Sequence, residues 1–351
     1  MKSFLFQDFM FQDFKIKYIK YISLLTIAIA FGFQSCFEED NKFSNTKRGN
    51  FEALWKIMDE HYCFFSYKDV DWNEVYRRYS VRIDENMDND ALFTVLGEML
   101  AEVKDGHVNM VASHDVARYW KWFEDYPDNF DEKIQKNYLG TDYSIASGLK
   151  YKILDDNIGY IYYGSFSSGI GEGNINQVLD RMAICDGIIL DIRNNGGGLL
   201  TNSDRLASHF FNEKTLVGYL MHKTGKGHDD FSEPYEIHVE PSNGVKYQKK
   251  VAVLTNRSCY SAANDFVNAM TYAPNVVIIG DRTGGGSGLP FSSEIPNGWS
   301  VRFSASPFLN AEKEHLEFGI DPDIKIDMSE EDMAKGIDSI IEKAREVLKG
   351  K

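Results

Sequence analysis

From residue 151 onward the chain alternates short apolar runs with stretches of helical spacing, and this pattern narrows its possible folds more than any other feature. Ile158 to Tyr163, Gly187 to Ile192, Leu216 to His222, residues 250 to 255 and Val276 to Gly280 are the apolar runs. Asn174 to Ala183, Ser203 to Phe211 and residues 261 to 272 carry apolar positions at helical intervals between them. Strands that alternate with helices predict an α/β fold with a mostly parallel sheet and crossover helices. Residues 223 to 247 read as an irregular polar hairpin or loop, and later strands are expected over 291 to 295 and 299 to 305. Ser329 is placed to open one terminal helix, with Met333, Ile337, Ile340, Ile341, Ala344 and Leu348 on a single face.

The chain before this core divides into four parts. Residues 48 to 111 hold three amphipathic helical patterns, the second with Asp71 at its N-cap position, and predict a small N-terminal helical bundle. This bundle ends in Lys104-Asp105-Gly106-His107-Val108, where a helix stops at glycine and a histidine begins an extended segment. Residues 112 to 150 are aromatic and charged and stay unassigned between a cover over a cleft and a satellite packed on the core. Residues 1 to 36 have the layout of a secretory signal: Lys15, Lys17 and Lys20, then the apolar run Tyr21 to Phe33, then Ser35-Cys36. A lipobox reading makes Cys36 a lipidated N-terminus, so the expectation is a cell-envelope, outer-membrane lipoprotein; a plain signal or anchor is the alternative. Residues 37 to 47 read as a polar tether, and the α/β core covers 151 to 351.

Several function classes drop out. A net charge of −15 argues against nucleic acid as a partner, because phosphate binding needs a basic surface. Gly196-Gly197-Gly198 lacks both the spacing of a dinucleotide site and the ending of a P-loop, and Gly284-Gly285-Gly286 lacks a following Lys and Ser/Thr pair. The cysteines and histidines show no metal-ligand spacing, so no metal and no cofactor is implied. A disulfide among Cys63, Cys185 and Cys259 is left open by their wide separation.

What remains is the stretch Val251 to Phe266, in which a strand runs through a polar turn into a helix at Ser261. A serine there presents its hydroxyl beside the free N–H groups of a first helical turn, which can hold an oxyanion. The rival reading makes Ser261 a plain helix cap.

Four stretches in order carry a resemblance: KDGHV at Lys104 to Val108, GIILDIRNNGGG at Gly187 to Gly198, TNRSCYSAANDF at Thr255 to Phe266, and EFGIDPDI at Glu317 to Ile324. Together they resemble the tricorn-core and C-terminal processing serine peptidases, over roughly residues 48 to 348. The resemblance implies a Clp protease/crotonase-like core preceded by the helical bundle. It implies Ser261 as nucleophile, with the oxyanion held by Ala262 N–H and a glycine-triplet N–H, Gly197 or alternatively Gly196. The lysine base of the processing branch falls on Gly286, so the resemblance points to the tricorn-like branch, with His107 as general base and Glu317 as supporting carboxylate. That branch has a serine before the histidine, where this chain has Gly106, which leaves open whether Glu317 acts directly, through water or not at all. Residues 112 to 150 are too few for the PDZ domain that many processing peptidases insert. His315 and Cys259 are rival base and nucleophile without a motif behind them. An S1 pocket is expected around Leu199 to Asp204 and Tyr260. The implied partner is a peptide or unfolded protein, with the membrane reached through the lipid anchor; oligomeric state is open. The implied activity is endopeptidase; the alternative is an inactive peptide- or ligand-binding lipoprotein of the same fold.

Overall fold

The computed structural model describes residues 43 to 350; the signal, Cys36 and most of the tether lie outside the described residues. Three capped helices open the described chain. Helix α1 (Lys47–His61) starts at Thr46, whose hydroxyl accepts from Gly49 N. Helix α2 (Trp72–Ser80) starts at Asp71, accepting from Glu74 N, and α3 (Asn89–Ala101) at Asp88, accepting from Ala91 N. Two tryptophans tie α1 to the start of α2: Trp55 Nε1 donates to Trp72 O at 3.1 Å, and Trp72 Nε1 to Trp55 O at 3.0 Å.

The α/β expectation holds, with corrections in its periphery. A seven-stranded sheet runs in the order β13-β10-β9-β6-β5-β4-β3. Its centre is parallel: β5 (Ile158–Tyr162), β6 (Gly187–Asp191), β9 (Lys250–Thr255), β10 (Val276–Gly280) and β13 (Ile324–Lys325). Strands β4 (Leu149–Ile153) and β3 (Ser144–Ala146) join antiparallel. The inner positions of β6 and β9 are apolar toward both faces because both faces are covered. Ile188 and Leu190 of β6 and Val251 and Val253 of β9 face α5 (Glu172–Met182), α6 (Leu200–Ala207) and α7 (Ala262–Thr271). The alternate residues Ile189, Ala252 and Leu254 face Ile340, Ile341, Ala344 and Leu348 of α9 (Ser339–Leu348).

Three expectations are corrected. The terminal helix is two helices, α8 (Glu330–Ala334) and α9, because Gly336 takes φ 73° and Asp338 then caps α9 through Ile340 N and Ile341 N. The strand expected at 216 to 222 is β7 (Thr215–Leu220), and it joins a second, antiparallel sheet rather than the parallel one. That sheet has the order β2-β1-β12-β7-β8, with β11 (Gly288–Glu294) also on β12 (Ser300–Asn310). Strand β8 (Tyr235–Val239) lies within the segment expected to be irregular. The unassigned stretch 112 to 150 contributes β2 (Val116–Arg118), a short 3-10 turn at Lys121–Phe123, α4 (Glu132–Leu139), β3 and the start of β4. Strand β1 (Asn109–Val111), directly after the helices, pairs antiparallel with β12 near the other end of the chain. The helical segment and the core accordingly fold as one unit from Asn45.

Candidate active site

Strand β9 delivers the chain into the turn 256–260, and Ser261 follows with φ 57° and ψ −124°. This strained bend is pinned on both sides: Ser261 N–H donates to Gly285 O at 2.9 Å, and Ser261 O accepts from Asp265 N at 3.0 Å. The half-buried Ser261 side chain makes no capping bond to α7, so the hydroxyl is not spent on the helix end. Among the described residues the Ala262 N–H has no backbone acceptor, as expected of an amide in the first helical turn.

The glycine triplet after β6 reaches the same place. A Cβ on Gly197 (φ 93°) would stand 2.5 Å from Tyr260 O and 2.9 Å from both Ser261 Cβ and Ala262 N, so only glycine fits there. The loops are locked together: Tyr260 N donates to Asn195 O at 3.1 Å, Asn194 N to Asn256 Oδ1 at 3.0 Å, and Asn256 Nδ2 to Asn194 Oδ1 at 2.7 Å. The Gly197 N–H, however, donates to Asn195 Oδ1 at 3.0 Å. Gly197 therefore lies against Ser261 as the resemblance implies, while its amide is engaged elsewhere. The exposed Gly196 amide has no backbone acceptor among the described residues.

His107 sits in a turn held by Asp105, whose Oδ1 accepts the His107 backbone N–H at 2.8 Å. Its imidazole is buried and packs 4.9 Å from the Tyr260 ring, next in sequence to Ser261. Burial pushes the His107 pKa down to about 4, helped by Arg302 and Lys68 and opposed by Asp105. The ring is therefore neutral near pH 7, as a proton acceptor must be. Its Nδ1 is buried with no partner, and no hydrogen bond joins it to Ser261 in this structure.

The carboxylate nearest His107 is Asp105, not Glu317. Asp105 Oδ2 accepts from Tyr62 Oη at 3.0 Å and Ser304 Oγ at 2.9 Å, and lies 3.7 Å from Lys68 Nζ. Burial alone would raise its pKa, but Lys68, His107 and these donors hold it below the usual range. Glu317 instead pairs with Lys68 Nζ at 2.8 Å and accepts Ser287 N–H at 3.0 Å. Burial first, and Asp105 second, push Glu317 up to about 7. Among the described residues Glu317 makes no hydrogen bond or ion pair with His107; Lys68 joins it to Asp105, the acid beside that ring. Two carboxylates sharing one ammonium leave this buried cluster net negative when both are ionised, which favours a nearby imidazolium.

Asp105 lies within the DGH motif, in which the histidine alone marks a proton acceptor. Lys68 had no signal, lying in an aromatic stretch after α1 far from the other motifs. Tyr260 is 7% exposed, with its hydroxyl turned toward Asp105. Leu199 and Leu200, by contrast, are exposed at the start of α6 beside the glycine triplet. The rivals are placed too. Cys259 is fully buried, its thiol on Ile192 O at 3.1 Å, and burial pushes its pKa up to about 12, so it is no thiolate. His315 stacks on Tyr67 at 4.1 Å. Cys63, Cys185 and Cys259 are free and buried. Among the described residues no group of His, Cys, Asp and Glu is arranged to hold a metal, and no helix is long and apolar enough to cross a membrane.

Comparison with known proteins gives this geometry relatives. Residues 157–326 match the profile of Peptidase family S41, and residues 43–101 that of the tricorn protease C1 domain. The chain is 26% identical over 203 residues to the carboxy-terminal processing protease CtpA of Bacillus subtilis (strain 168), covering 57% of this chain and 40% of that protein. The chain thus spans less than half the length of this curated relative. The crystal structure of a candidate peptidase from Parabacteroides merdae ATCC 43184 is 57% identical, with a TM-score of 0.84, over 87% of this chain and 97% of that one. Mature CPAF shares the fold at 12% identity, with a TM-score of 0.66, over 87% of this chain and 96% of that one.

Proposed function

The chain belongs to peptidase family S41, and from that membership we propose that it is a serine endopeptidase working through an acyl-enzyme on Ser261. The observation that carries the reading is the strained, half-buried Ser261 whose hydroxyl caps nothing, set against Gly197 and next to the Tyr260–His107 contact. Ser261 Oγ attacks the peptide carbonyl while its proton passes to neutral His107. The carbonyl oxygen becomes an oxyanion held by Ala262 N–H and a glycine-triplet N–H, either Gly196 or Gly197 once its peptide turns from Asn195. His107 then gives the proton to the leaving amine; water, losing its proton to His107, attacks the acyl carbonyl, and His107 returns that proton to Ser261 Oγ as the acid product leaves. Asp105, with Lys68 and Glu317 behind it, stabilises the imidazolium in between. The short move that brings His107 onto Ser261 belongs with substrate binding, since catalytic hydrogen bonds often tighten only then. The substrate is a peptide or unfolded protein, and Cys36 carries a lipid that fixes the enzyme to the cell envelope.

A second reading, an inactive peptide-binding lipoprotein, draws support from the engaged Gly197 amide and the missing Ser261–His107 bond. Fluorophosphonate labelling and casein cleavage separate the two. The natural chain is expected to label and cleave, with S261A and H107A losing both; a natural chain that does neither sinks the enzyme reading. In membrane fractions of producing cells, C36A is expected to move the protein into the soluble fraction, and an unmoved C36A removes the lipid anchor.

A further inference from the structure

Two glycines stand where the family's motifs carry a functional side chain: Gly106, in the place of a serine before the histidine, and Gly286, in the place of a lysine base. Both pack against one phenol. A Cβ on Gly106 would lie 2.9 Å from Tyr260 Oη and 2.9 Å from Trp122 Nε1. A Cβ on Gly286 would lie 2.4 Å from Tyr260 Cζ, and Gly286 has φ 75°, which side-chain-bearing residues rarely adopt. Neither position can carry its family residue while Tyr260 is in place. The Tyr260 ring is fixed by Trp122, 4.3 Å away, and lies 4.9 Å from the His107 imidazole. Its hydroxyl reaches Asp105 Oδ1 at 3.4 Å, a long contact to the same oxygen that accepts the His107 backbone N–H at 2.8 Å.

We infer that Tyr260 is the positioning residue of this active site: its phenol fills the space of both absent side chains and holds Asp105 and His107 in register with Ser261. This rests on the peptidase reading above. The residue preceding the nucleophile thereby does the orienting, so base and nucleophile are referenced to the same short turn. Burial, with Asp105 and Glu317, keeps the phenol protonated, so it serves as a donor and not as a base. The charged and titratable groups facing His107 are Asp105 from its own turn, Lys68 after α1, Arg302 on β12 and Tyr260 before α7. Glu317 joins them through Lys68.

Tyr260→Phe keeps the ring and removes only the hydroxyl. Against a peptide substrate, kcat is expected to fall roughly tenfold or more with KM within about twofold. The acid limb of the kcat/KM profile is expected to move to higher pH, because Asp105 without this donor holds the His107 proton more strongly. Asp105→Asn should move that limb the other way. The double variant should lose no more than Asp105→Asn alone, since one residue acts through the other. Should Asp105→Asn fail to fold, the pH profile of Tyr260→Phe decides by itself. An active, fluorophosphonate-labelled natural chain whose Tyr260→Phe form keeps its kcat and its acid limb overturns the role of Tyr260 alone, as does a multiplicative loss in the double variant. A natural chain that neither labels nor cleaves removes the peptidase reading and this inference with it.

Discussion

At φ 57° and ψ −124°, Ser261 occupies a backbone region that a side-chain-bearing residue holds only at a cost of about 1–3 kcal/mol. Glycine adopts it without a Cβ clash, less about 0.5–1 kcal/mol for its greater freedom in the unfolded chain. Ser261→Gly is therefore expected to raise the unfolding free energy by about 1 kcal/mol while abolishing labelling. Urea titration checks this, and a midpoint at or below that of the natural chain would mean the bend stores no strain. The strand-to-helix setting singled out Ser261 but left it open against a plain helix cap; the role of His107 came only with the family resemblance of the four motifs. The supporting carboxylate was not legible. Glu317 was favoured through its motif, but a motif does not say which of two buried acids faces a ring. That follows from Asp105 accepting the backbone N–H two residues on, a local turn that leaves no periodic trace.

The loops after β6 and β9 act as one element because Asn194 and Asn256 exchange hydrogen bonds in both directions, and Asn256 Nδ2 also holds Asp128 O at 2.8 Å. Asn256→Ala would leave these partners unpaired, at a cost of about 1–3 kcal/mol. It should also slow fluorophosphonate labelling at least roughly tenfold, since a small displacement between nucleophile and oxyanion donors is costly. Labelling at the natural rate in a folded Asn256→Ala protein would show the loops are held by other contacts. Element by element, the parallel strands and their helices were readable because strands buried on both faces carry continuous apolar runs at their centres. The antiparallel sheet was not. Strands β1 and β2 have three residues each, too short for any period, and the pairing of β7 with β12 is decided across a long chain separation. The break between α8 and α9 did have a signal, Gly336 followed by Asp338, but the apolar face continued across it and hid the stop.

At the scale of the molecule, two buried groups titrate against each other. Burial lowers His107 from 6.5 to about 4, so its contribution to stability is complete above 6.5 and is lost as pH falls through 4. Glu317 is raised from 4.5 to about 7, so its contribution is complete below 4.5 and is lost as pH rises through 7. The two slopes oppose each other over one window. Glu317→Gln removes the second and leaves Lys68 balanced by Asp105. This variant should therefore lose more stability than the natural chain as pH falls from 6.5 to 4.5, which denaturant titrations at those two pH values would measure. Parallel curves would place the Glu317 proton equilibrium in its ordinary range.

The bond between Lys68 and Glu317 also sets an order in time. A ribosome delivers Lys68 and Asp105 early and Ser261 later, but Ser304, Glu317 and the strand on which β1 closes only near the end of its work. Until then His107 has its turn on Asp105 but not strand β12 or the Lys68–Glu317 pair behind it. A peptidase of the kind proposed would thus gain its site only when its chain is nearly complete.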